Sequence, residues 1–179
     1  MSGFWLITNV FLDVFPWIFL LYMPFKDRLR FSVITTGVLN YIALTIYLLI
    51  FKKITTAEFY NLDVMFSYRV VQIFVVLTLV IFLVDDYIEK SLFVYGLLLP
   101  ISVVILVWAS HINNYITIRQ SATYLDTAVL RIIISVVCFP FMYILWKKYI
   151  VPVVKTDNRR QWRQAWIIPI IFSIVSLAY

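Results

Sequence analysis

The chain is a succession of apolar runs, each close to the length that crosses a bilayer, separated by short charged connections. A spanning helix needs roughly 20 mostly apolar residues, because ~30 Å of hydrocarbon is crossed at about 1.5 Å per residue. Such runs predict helices over residues 3–23, 31–51, 65–84, 91–110, 127–146 and 163–179. The expected fold is all-α: one polytopic transmembrane domain over residues 1–179, with about six transmembrane helices. Composition points the same way, with 64% of residues apolar and 13% charged, against about half and a quarter in soluble domains. A water-soluble fold of 179 residues could not cover so much hydrocarbon.

The connections carry the polar residues. Pro24 ends the first run, and Lys26, Asp27, Arg28 and Arg30 follow. Residues 54–68 are mixed, with Glu58, Asn61 and Asp63 among aromatics. Asp85, Asp86, Glu89 and Lys90 predict a tight, solvated acidic turn, with a divalent-cation site as the alternative. Residues 109–126 are the most polar long connection, holding His111, Asn113, Asn114, Arg119 and Gln120. Pro100 and Pro140 are placed to kink their helices. A basic loop is expected over residues 147–163, with Lys147, Lys148, Lys155, Arg159, Arg160 and Arg163. The final apolar run, 165–179, has 15 residues, and these reach only about 22 Å as a helix. The chain is expected to continue into a seventh helix, although a product that ends there stays open. The first helix is expected to be retained, since no basic region precedes it and Asp13 interrupts its apolar core.

Orientation follows from where lysine and arginine fall. Odd-numbered connections hold Lys26, Arg28, Arg30, Lys90 and the six cations of 147–163, ten in all. Even-numbered ones hold Lys52, Lys53, Arg69, Arg119 and Arg131, which is five. The odd connections are therefore expected in the cytoplasm, with the N-terminus outside the cell membrane. The net charge of +6 reads as contact with anionic headgroups rather than nucleic acid, because the cations sit at the ends of apolar runs.

Catalytic chemistry is not legible. His111 is the only histidine and Cys138 the only cysteine, so paired-histidine or thiolate metal sites cannot form within one copy. No glycine-rich phosphate loop or Gly-x-Ser-x-Gly elbow occurs. With three glycines, close helix approaches should be rare. The polar residues inside apolar runs remain. Asp13, near the middle of the first helix, would cost about 2.5–3.5 kcal/mol as a lone carboxylate in hydrocarbon. Arg131 is its expected partner and Arg69 a second cation, in a polar interior with Asn9. That cluster is either a structural ion pair or a ligand site. His111 is either an interfacial polar residue or a binding or pH-sensing one. The aromatics, 18% of the chain, fall largely near predicted helix ends, as interfacial anchors do.

Two segments resemble a known family. Pro24-Phe25-Lys26-Asp27-Arg28-Leu29-Arg30-Phe31-Ser32 is similar to the first cytoplasmic turn in the membrane sensor regions of GHKL-type histidine kinases, relatives of the accessory-gene-regulator peptide receptors. Residues 160–172, with Trp162, Trp166, Pro169 and Phe172, resemble the opening of a late helix in the same group. The resemblance implies the input half of a bacterial two-component receptor, read by a cytoplasmic kinase that this sequence lacks. It implies ATP and Mg only for that kinase and no cofactor here. It further implies a homodimeric parent receptor and an external peptide or small-molecule signal. A small multi-pass transporter and a structural accessory membrane protein remain the alternatives.

Overall fold

The structure, a computed structural model, describes residue 12 and residues 15–55, 62–117 and 124–177. Among them every long element is helical and no strand occurs, only one isolated β-bridge. Residues 15–22 form α1, followed by a 3-10 turn at Met23–Arg28. Then come α2 (Val33–Thr55), α3 (Leu62–Leu83), α4 (Ile88–Thr117) and α5 (Tyr124–Leu145). A π-turn at Trp146–Ile150 carries α5 into α6 (Val151–Val154); α7 (Arg159–Ala165) and α8 (Ile167–Leu177) follow.

Among the described residues, two helices are long and apolar enough to cross a membrane, over Ile88–Ala109 and Ile132–Val154; Val33–Tyr47 and Val71–Leu83 are shorter apolar stretches. The helices differ from the expected runs mainly at their ends. The α4 helix continues through Ala109 and His111 to Thr117, where a connection was expected. Ser, His and Asn are only mildly poor helix formers, so a turn already nucleated propagates through them. The basic loop is also shorter than expected. Helix runs through Lys147 and Lys148 to Val154 and resumes at Arg159, leaving residues 155–158 between.

The chain divides into two compact units. One, residues 26–86, is a hairpin of α2 against α3. Ser32 caps α2: its Oγ accepts from the Thr35 backbone N–H at 3.1 Å, satisfying one of the amides a helix start leaves open. Inside the hairpin three polar side chains bond back to their own helix, while the buried Thr36 Oγ1 makes no hydrogen bond. Asn40 Nδ2 donates to Thr36 O, Thr45 Oγ1 to Tyr41 O and Thr78 Oγ1 to Phe74 O, each at 2.8 Å.

The other unit comprises residues 1–25 and 87–179. Here α4 packs against α5, α7 and α8. Phe19 of α1 meets Phe139 edge-on at 5.8 Å and Tyr143 at 6.2 Å, seating α1 on α5. Of the apolar span in α4, 41% is buried, against 11% for the span ending in α6, so α4 is the central helix and α5 a peripheral one. Large apolar side chains stand outward on every long helix, among them Ile34, Phe74, Trp108, Phe141 and Ile168.

Candidate functional site

Two connecting stretches, residues 24–32 and 155–166, pack against helix ends. In the hairpin unit, the Lys26–Ser32 stretch folds against the end of α3. Leu29 and Val84 form an antiparallel bridge, with Arg30 N donating to Leu83 O at 2.9 Å and Asp85 N to Arg28 O at 2.8 Å. Side chains reinforce it: Arg28 Nη1 lies 3.0 Å from Asp86 Oδ1, and Arg30 Nη2 lies 3.5 Å from Asp85 Oδ1. The two pairs are unequal. Asp86 is only 3% exposed, whereas Asp85 is 78% exposed and solvated. The acidic turn is therefore half a clamp rather than a wholly solvated turn. Among the described residues no three His, Cys, Asp or Glu side chains gather as a metal site would require.

In the larger unit, the second segment meets the start of α4. Lys90 is fully buried, and its Nζ lies 3.3 Å from Asp157 Oδ1. The same ammonium sits 5.5 Å from the Tyr87 ring centroid and 5.8 Å from that of Trp162, within cation–π range. Trp162, 2% exposed, stacks edge-on with Phe93 at 5.3 Å and donates its indole N–H to Thr156 O at 3.0 Å. A lysine can be buried here because carboxylate and aromatic faces replace its water. The ion pair crosses 67 residues of chain, which no local pattern could have shown.

Two turns further along α4, Gly96 meets α8. A Cβ built on Gly96 would stand 2.9 Å from Pro169 Cβ, 3.0 Å from Pro169 C and 3.1 Å from Ile170 N. Close approach through a small residue, expected to be rare, is used at this point. Pro100, four residues on, has no N–H to give the Gly96 carbonyl. Ser173 Oγ supplies the missing donor from α8 at 2.7 Å, while also lying 2.8 Å from Pro169 O. Proline on one helix is thus repaired by serine on its neighbour. Pro169 likewise lacks the N–H that would bond Ala165, and the chain breaks helix at Trp166, between α7 and α8.

Of the other residues singled out from sequence, Asn9 and Asp13 lie outside the described residues. Arg69 and Arg131 occupy positions in α3 and α5, but their side chains are not described, so the expected Asp13–Arg131 pairing falls outside the described residues too. His111 is exposed on α4. Pro24 and Phe25 are buried, Trp166 is half-buried, and Phe172 is 62% exposed. Lys90, Tyr87, Gly96 and Ser173 were missed. The one signal available was a glycine four residues before a proline. No family model, curated protein or solved structure matches this chain.

Proposed function

We propose that this chain is the membrane input module of a two-component receptor, a bundle of about six crossing helices with its N-terminus outside. Its output would be a change in helix packing at the cytoplasmic ends, passed to a GHKL kinase beyond this chain. The observation that carries this reading is the employment of the two resembling segments. Each, remote in sequence from the other, meets the end of an apolar helix: Arg28 pairs with Asp86, and the Trp162 ring lies under the Lys90 ammonium. In the six-helix reading the paired stretches are all odd-numbered connections, which that reading assigns to one side of the bilayer. That agrees with the distribution of lysine and arginine. Outward-facing Ile34, Phe74, Phe141 and Ile168 are compatible with lipid as their solvent.

The geometry offers a route for a signal. The α4 helix is held at its first turn by Lys90 and two turns on by the Gly96–Pro169 contact. A shift of α8 along that seam therefore acts on the segment that holds Asp157 and Trp162. An external signal needs only to favour one packing over another to be read.

The test is topological and functional. A Ser2→Cys chain in intact cells should react with a membrane-impermeant maleimide, and a cysteine introduced at Asn158 should not. Reaction only at Asn158 overturns the receptor reading. The reading frame should also continue into a further helix and a kinase domain, and a stop codon directly after Tyr179 counts heavily against it.

A further inference from the structure

Along α4, Phe93, Gly96 and Pro100 are spaced by three and four residues and so share one face. The chain from α7 to α8 lies along that face: Trp162 stacks on Phe93, while Pro169 and Ser173 meet Gly96. Trp162 anchors α7, being 2% exposed and bonded to Thr156 O. Helix then breaks at Trp166, because Pro169 has no N–H for Ala165. Beyond the break, Pro169 and Ser173 are buried, whereas Ile168, Ile171, Phe172 and Ile174 stand outward. The α8 helix is therefore seated on α4 along a single stripe.

At that stripe one proton faces two acceptors. Ser173 Oγ lies 2.7 Å from Gly96 O and 2.8 Å from Pro169 O, and a hydroxyl has one proton to give. The acceptors differ in need. In an α-helix the carbonyl of Pro169 is served by the Ser173 backbone N–H, four residues on, whereas that of Gly96 faces Pro100, which has none. Turned toward Gly96, the hydroxyl ties α8 to α4. Turned toward Pro169, it closes on its own helix and leaves Gly96 O open. The proton stays on Oγ throughout.

We infer that α8 is a strap on α4 with two bonding states, in which the Ser173 hydroxyl is the latch and the break at Trp166 is the hinge. This deepens the signal route given above and rests on the receptor reading for what drives the strap. A hydrogen bond between membrane helices corresponds to about a three- to twentyfold preference. The closed state should lead by that ratio and leave the open one populated.

The full chain is labelled with carbon-13 at the glycine carbonyls and reconstituted in phosphatidylcholine nanodiscs. It has three glycines, and replacing Gly3 and Gly37 by alanine isolates the Gly96 carbonyl. Infrared absorption is faster than side-chain rotation, so bonded and open carbonyls give separate bands, the open one at higher wavenumber. Wild type should show both, the bonded band stronger by about three- to twentyfold and the open band growing on warming. Ser173→Ala should leave only the open band. Pro100→Ala, which restores an N–H, should leave only the bonded band, with or without Ser173. Spin labels at the exposed Val104 and Ile174, in a Cys138→Ala background, should lie farther apart in both variants than in wild type. A single bonded band at every temperature makes Ser173 a fixed repair and overturns the strap. So does a bonded band that survives Ser173→Ala, or a label distance that neither variant changes. If Ser173→Ala fails to fold, wild type and Pro100→Ala still decide. Both bands in a chain whose Ser2→Cys label reacts only from the inner side would remove the receptor reading and keep the strap.

Discussion

Adding one methyl group at Gly96 should separate α4 from α8, whereas the same change at Gly37 should be harmless. A Cβ at Gly96 meets three atoms at 2.9–3.1 Å, two of them backbone and the third in a proline ring, none able to swing away. Ordinary carbon contacts lie near 3.5–4.0 Å, so the helices must part by about 0.5–1 Å. Overpacking of this kind costs about 1–3 kcal/mol, while alanine recovers about 1 kcal/mol of helix propensity over glycine. At Gly37 nothing lies within 4 Å of the new Cβ, so only the propensity gain applies. The propensity term cancels between the two variants, leaving a gap of about 1–3 kcal/mol. For a chain of this size about 2 kcal/mol corresponds to roughly 4–8 °C in Tm. Thermal unfolding of both variants in one detergent, followed by far-ultraviolet circular dichroism, reads that gap directly. Ser173→Ala, which strips the donor from Gly96 O, should add a loss of about 0.6–2 kcal/mol. It should be non-additive with Gly96→Ala, because a parted seam has already lost that bond. If Gly96→Ala unfolds at or above the temperature of Gly37→Ala, the close-approach argument is wrong.

The two arginines of the hairpin clamp should behave differently. Arg28→Gln removes a cation 3.0 Å from the buried Asp86 carboxylate and should cost about 3 kcal/mol, while Arg30→Gln should stay within about 1 kcal/mol, both by denaturant titration in mixed micelles. Ser32→Ala should remove about 1 kcal/mol from the start of α2, seen as faster amide exchange at Thr35 and Thr36 with the end of the helix unaffected. Trp162→Phe keeps a ring beside Lys90 but loses the bond to Thr156 O, so a loss of about 1–2 kcal/mol is expected, against about 3–5 kcal/mol for Trp162→Ala.

Much of the architecture is legible in a single strand of letters because helix in an apolar setting is a local decision. Runs of valine, isoleucine, leucine and phenylalanine with no polar interruption leave the backbone no partner but itself. The α2, α3 and α5 elements lie within a few residues of the runs read from sequence. Helix ends were harder to place. The π-turn at Trp146–Ile150 and the helix through residues 109–117 depend on hydrogen bonding that composition does not encode. The polar residues chosen as candidates were those inside apolar runs, because an isolated charge there is costly. That criterion selects Asp13 and Arg131, which nothing in the described residues tests, and passes over Lys90, whose cost is removed by residues far along the chain.

By itself the sequence determined that the chain is helical and too apolar to hide its hydrocarbon from water, since both properties sum over neighbouring residues. Only the tertiary structure decided that Lys90 meets Asp157 and that Ser173 repairs the carbonyl freed by Pro100. It also decided that Arg28 and Arg30 close on Asp86 and Asp85. Each of these pairs joins residues more than 50 positions apart. Their meeting is set by how whole helices pack, and no periodicity within one helix carries that information.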